Sequence, residues 1–173
     1  DGALRYDANG EWALRGRVDE TLAEDLLADP WFMRPPPKST GRERFGRPYV
    51  ARLVRERRPS DRSEWAGLVA TLTAVVARSI GAAVKQWAPT GAGGDVVVTG
   101  GGAENPVLMD WIGAELEPVP VRHGRVLGID PAAKEAIAFA VLAWAHTVRC
   151  PASLPEVTGA AGPRVLGSYT PGR

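Results

Sequence analysis

From Val18 the apolar residues Val18, Leu22, Leu26 and Leu27 fall on one helical face, and Asp29-Pro30 ends the run. Residues 1–16 lack such a repeat, and "DANGEW" (7–12) predicts a loop or hairpin tip. Pro35 to Pro37 force an extended segment, because proline fixes its own φ and pushes its predecessor out of the helical region. Residues 44–58 are arginine-rich and predicted helical, and Pro59-Ser60 breaks them off. Asp61, with Glu64 three residues on, resembles an N-terminal cap. The clearest helix follows, where Trp65, Leu68, Val69, Leu72, Val75, Val76 and Ile80 recur at helical spacing to give one apolar face.

After a predicted loop at Pro89–Gly94, "DVVVTGGGAENPVLMDWIGAEL" reads as strand, glycine turn and helix. Val96 to Val98 form a β-branched run, and Asn105-Pro106 supply a cap and a first helical residue. "EPVPV" (117–121) predicts a short extended segment. "DPAAKEAIAFAVLAWAHTV" (130–148) predicts a second long helix, apolar nearly all round and therefore expected to be buried. The Pro- and Gly-rich tail from Cys150 predicts loop. The order of elements predicts an α/β fold.

Composition narrows the class without choosing a function. The chain has 173 residues, 45% hydrophobic and 24% charged, with net charge +1, so no global field argues for nucleic acid or membrane. The longest unbroken apolar run, Ala136 to Ala145, falls short of the roughly 20 residues that cross a bilayer. A single cysteine, Cys150, rules out an internal disulfide framework and fits a reducing, cytoplasmic setting. The chain opens at Asp1-Gly2 without methionine, as expected of a fragment or a processed chain.

Several stretches are candidates for chemistry. Lys38-Ser39-Thr40 looks like the end of a P-loop, but Pro37 stands before the lysine and Met33 five residues back, where bare glycine amides are required. Gly100-Gly101-Gly102 let a ligand approach the backbone without meeting a Cβ, and the helix after them offers free amides suited to a phosphate or flat nucleotide. Pattern alone leaves ligand contact and a tight strand-to-helix turn equally open. Glu135, beside Lys134 at the start of the second long helix, reads either as a solvated first turn or as a carboxylate aimed into a cleft. The stretch from Arg34 to Arg62 holds ten basic residues against three acidic ones, a surplus that could grip phosphates of a nucleic acid. Its simpler reading is a solvated arginine face, since only Phe45 and Tyr49 are there to stack on bases. His123 and His146 have no partner at metal-ligand spacing, so no metal site is expected.

"LLADPWFMRPPPKSTGRERF", "VVVTGGGAENPVLM", "GIDPAAKEAIAFAVLA" and "LPEVTGA…VLGSYTPGR" resemble, in this order, the C-terminal half of the anhydro-N-acetylmuramic acid kinases. The resemblance spans practically the whole chain. It implies a ribonuclease-H-like lobe of the acetate-and-sugar-kinase and actin superfamily, with helices packed on a small mixed sheet. Residues 1–60 would be inter-lobe and cleft segments and 61–173 the C-terminal lobe, with the N-terminal lobe absent from this chain. The family's reaction hydrates the 1,6-anhydro bond of anhydro-N-acetylmuramic acid and phosphorylates the sugar with ATP and Mg²⁺ to N-acetylmuramic acid 6-phosphate, in cell-wall recycling.

Carried over residue by residue, Gly100, Gly101, Gly102 and Asn105 match the nucleotide-binding motif, and Glu135 matches a glutamate near the sugar. Lys38, Ser39, Thr40 and Arg42 belong to a signature expected beside the cleft. The family's first phosphate loop and its general-base aspartate lie upstream of these motifs, so the chain alone is expected to be inactive. Expected partners are the sugar and ATP, the other lobe and a second copy in a homodimer, with no nucleic acid and no membrane. The alternatives are a non-catalytic nucleotide- or sugar-binding remnant, or a basic nucleic-acid-binding module.

Overall fold

A computed structural model describes residues 6–88, 93–130 and 133–172. Its element order is α1 (Glu11–Arg15), α2 (Glu20–Leu27), α3 (Pro30–Met33), α4 (Arg42–Phe45), α5 (Arg47–Arg57), α6 (Arg62–Trp87), β1 (Val96–Val98), α7 (Pro106–Leu116), β2 (Val121–His123), α8 (Lys134–Thr147) and α9 (Pro155–Thr158). Short 3₁₀ turns occupy Ala8–Gly10, Gly101–Glu104 and Gly124–Leu127. The fold is mixed α/β and mostly helical. Residues 89–92 of the predicted Pro89–Gly94 loop lie outside the described residues.

Helix α6 is the spine against which α1, α2 and α7 pack. Its start is fixed as the sequence predicts: the Asp61 carboxylate accepts the Glu64 N–H at 2.9 Å, while Glu64 reaches back to the Ser60 N–H and hydroxyl. The large residues of the predicted face are only partly its core, since Trp65 and Val76 remain exposed. The fully covered positions are mostly small: Ala66, Ala70, Thr71, Ala74, Ala77 and Gly81. Small side chains let neighbouring helix backbones approach closely, and a hydrophobicity pattern built on large residues passes over them. By length and composition the 26-residue α6 could cross a membrane; here its buried positions face the other helices.

Two clusters make the core. One joins Leu22, Ala23, Leu26, Leu53, Leu68 and Val75, gathering α2, α5 and α6. The other joins Ala77, Ile112 and Leu116 with the half-buried Val96, Val98, Leu108 and Val121, seating α7 and the strands on α6. Thr71 pins the first cluster: its hydroxyl accepts the Asp19 N–H at 2.9 Å and donates to the Gly67 carbonyl at 2.7 Å.

Three expectations are corrected. The "DANGEW" stretch is not a hairpin tip: the Asp7 carboxylate accepts the Trp12 and Ala13 N–H groups, which starts helix α1. The sheet among the described residues is not mixed but a parallel pair, β1 with β2, in the register Val96 to Val121, Val97 to Arg122 and Val98 to His123. Helix α7 is the crossover that parallel pairing demands. The apolar α8 is not buried either. Ala145 is its one buried position, and His146 Nδ1 donates to the Leu166 carbonyl of the tail at 2.9 Å. Phe139 is 70% and Trp144 62% exposed, on different sides of the helix, because the described residues leave most of its surface uncovered.

Candidate functional site

Parallel strands present their carboxyl ends at one edge, and in α/β sheets that edge is where loops assemble ligand sites. Here β1 delivers Thr99 and the glycine triplet, and β2 delivers His123, Gly124 and Arg125. The two ends touch closely: a Cβ on Gly124 would come within 2.6 Å of Thr99 Cγ2 and 3.2 Å of the Val98 carbonyl oxygen. Only glycine fits there without moving the strand end.

Gly100 has φ +85°, a conformation that suits glycine and few other residues. Gly101 is different. A Cβ there would meet nothing within 4 Å, and its φ is not among the positive ones. The fold itself would accept a side chain at this position, so the missing side chain leaves open space outside the turn. The turn is closed by the Ala103 N–H to the Gly100 carbonyl at 3.0 Å and the Asn105 N–H to the Gly102 carbonyl at 3.1 Å.

Asn105, grouped with the glycines on sequence grounds, spends its side-chain oxygen on the cap of α7, accepting the Leu108 N–H at 3.1 Å. The start of α8 also reaches this edge: Lys134 Nζ donates to Thr99 Oγ1 at 3.2 Å. Glu135, the next residue, is exposed to solvent. The strand end before the glycine turn and the first residue of α8 thus meet at one edge of the fold. Glu104 completes the rim, paired with His123 and Arg125.

The Lys38–Glu43 segment is organised differently. Lys38 Nζ donates to the Phe32 carbonyl at 2.7 Å and sits 4.7 Å from the centre of the Trp31 ring. Its ammonium therefore ties down the end of α3. The Glu43 carboxylate accepts the Gly41 N–H, and Arg44 pairs with Asp29. Trp31, Phe32, Phe45 and Tyr49 stack edge-on and face-on beside them. The Trp31 N–H bond and the Arg44 guanidinium hold the Asp29 carboxyl below its usual range, while burial pushes the Tyr49 phenol up. Of the arginines in the basic stretch, Arg44, Arg52 and Arg57 are ion-paired, with Asp29, Glu56 and Asp19.

Sequence reasoning missed Thr99, Glu104, Arg125 and the Lys134 contact, and it weighed His123 only as a metal ligand. Parallel pairing could have found them, because it places whatever follows each strand at the same edge.

An open glycine turn at the carboxyl edge of a parallel strand pair, with a lysine beside it, makes a candidate ligand site on an α/β protein. The family model described as anhydro-N-acetylmuramic acid kinase matches residues 1–172. A kinase of that name from Xanthomonas oryzae pv. oryzae is 44% identical over 166 residues, 96% of this chain and 42% of its own length. Its namesake from Gloeobacter violaceus is 43% identical over 166 residues, with 96% and 43% covered. The one from Streptomyces coelicolor is 40% identical over 172 residues, with 99% and 42% covered. The chain belongs to the anhydro-N-acetylmuramic acid kinase family and spans about 42% of the length of these curated relatives.

Proposed function

We propose that this chain forms the C-terminal, nucleotide- and sugar-facing wall of an ATP-dependent kinase acting in the cytoplasm. The reaction adds water across the 1,6-anhydro bond of anhydro-N-acetylmuramic acid and transfers a phosphoryl group to give N-acetylmuramic acid 6-phosphate, a step in reuse of cell-wall sugar. Family membership supports the substrate class. The open face of the turn at Gly101, a glycine the fold does not require, is the observation that carries the nucleotide reading.

In this reading the flat adenosine lies against Gly100–Gly102, where any side chain would hold it off. Lys134, held on Thr99, places a positive charge beside the bound nucleotide. Glu135 accepts a hydrogen bond from a sugar hydroxyl and so fixes the pose of the anhydro ring. Among the described residues no cluster of three or more His, Cys, Asp or Glu side chains forms a metal cage. A Mg²⁺ ion that travels with ATP is held largely by phosphates and water, and no step here is routed through it. Residues of this chain supply positioning and charge.

The test is ADP titration of the purified chain by calorimetry, with Gly101→Val alongside. The wild type should bind, and the variant should unfold at the same temperature yet lose at least about tenfold in affinity, roughly 1.4 kcal/mol. A wild type that ignores ADP, or a variant that binds it equally well, would sink the nucleotide reading.

A further inference from the structure

Glu104 stands at the last position of the glycine turn, and among the described residues its side chain is bound from the end of β2 and the turn after it. Its Oε1 accepts from His123 Nε2 at 3.1 Å, and its two oxygens accept from Arg125 Nη2 at 3.0 and 3.1 Å. His123 Nδ1 accepts the Arg125 backbone N–H at 3.1 Å. That bond leaves Nε2 as the protonated nitrogen of the neutral ring, directed at the carboxylate. The three side chains form a clasp from the turn after β1 to the turn after β2.

The glycine turn is closed by the Ala103 and Asn105 N–H bonds and seated by the buried Ala103, but its first two residues bring no side-chain contact. Gly100 and Gly101 present no Cβ, and a methyl there would touch nothing within 4 Å. Glycine backbone loses more freedom on ordering than any other, so a turn built from it relies on what anchors its ends. One end is strand β1, and at the other Asn105 caps α7. Glu104 ties the turn sideways, toward the neighbouring strand.

We propose that Glu104 is a positioning residue: through His123 and Arg125 it holds the Gly100–Gly102 turn in the shape that receives its ligand. The clasp deepens the reading of that turn as an adenine-nucleotide contact and rests on it for the identity of the ligand. Exposed ion pairs add little to global stability. Ordering a ligand-binding loop beforehand, however, removes a cost that binding would otherwise carry. The clasp should therefore register in affinity and local exchange, and hardly in melting temperature.

The experiment uses the 173-residue chain, Glu104→Ala, Glu104→Gln, Arg125→Ala and the Glu104→Ala/Arg125→Ala double variant, with ADP as the probe. In the free chain, exchange of the Ala103 and Asn105 amides should quicken about three- to tenfold in Glu104→Ala, while melting stays within about 3 °C of wild type. ADP affinity should fall by a similar factor, Glu104→Gln should lie between, and the double variant should be no worse than the single ones. Unchanged exchange in Glu104→Ala overturns the proposal, and so does a change spread over the whole chain with a lowered melting temperature. Faster exchange confined to the turn, in a wild type that does not bind ADP, would support the clasp and remove the nucleotide reading instead.

Discussion

Ile112 is the hinge of the energetic argument. It is 0% exposed and sits where α7 meets Ala77 of α6 and Leu116, with the half-buried valines of both strands packed against the same cluster. Ile112→Ala removes three buried carbons at about 0.8 kcal/mol each, or about 2.4 kcal/mol of transfer free energy. Helix and sheet close on this residue from several sides and cannot all collapse into the gap, so the residual cavity adds about 1 kcal/mol more. The expected loss is thus about 3–4 kcal/mol, a large share of the roughly 5–15 kcal/mol that holds a typical domain together. Urea denaturation followed by far-ultraviolet circular dichroism reads it directly. With a slope of about 2 kcal/mol per molar, the midpoint should fall by about 1.5–2 M. Val126→Ala, at a site 56% exposed, is the control and should shift stability by less than about 0.5 kcal/mol. If Ile112→Ala cost under about 1 kcal/mol, the packing of α7 between α6 and the strands would be wrong, and the position of the glycine turn with it.

Thr71→Val keeps the shape of a buried side chain but strips the acceptor from the Asp19 N–H, so denaturation should show a loss of about 1–3 kcal/mol, with Thr71→Ser milder. Stability should also fall in acid. Ser60 lowers the pKa of Glu64, Arg78 that of Glu20, and the Trp31 N–H that of Asp29. Each folded-state pKa lies below its unfolded value, so the contribution is complete above the ordinary carboxylate range near pH 4 and is lost as pH falls through the depressed values. Denaturation midpoints between about pH 6 and pH 3 check this, and Asp29→Asn, which keeps a capping oxygen, should remove part of the slope. A flat profile in the wild type would refute the assignment.

Where side chains interact with nearby backbone, the sequence was readable. Asp61 with Glu64, Asn105-Pro106 and the Val96–Val98 run each became the cap, start or strand expected of them. What depends on distant neighbours was harder to read. The small-residue seam of α6 carries no hydrophobic contrast, because alanine marks a close approach only once the opposing helix is known. Asp7 was read as part of a turn because its partners, the Trp12 and Ala13 amides, become donors only when a helix starts there. The glycine triplet was visible as a candidate, whereas Glu104 and Arg125 drew no reading and His123 was weighed only as a metal ligand; their meeting depends on the parallel pairing that puts Val98 beside His123. Lys38 is a different case: Ser39 and Thr40 give it a P-loop look that Pro37 and Met33 already exclude, and the structure turns its ammonium toward backbone carbonyls and an indole ring.

The exposed face of α8 bears on the two-lobed reading. Ile137, Val141, Trp144 and Val148 recur at spacings of four, three and four residues, which aligns them along one side of the helix, and all four are exposed. A continuous apolar stripe of that kind is unusual on a finished protein surface and ordinarily lies against another element. The same helix begins at Lys134, on the rim of the glycine turn. A covering element along the stripe would therefore lie close to the open face of the glycine turn. That is the arrangement expected if a ligand is enclosed between this wall and a second one. In this reading the pattern that led the sequence to predict burial reports a requirement that the described residues do not satisfy among themselves.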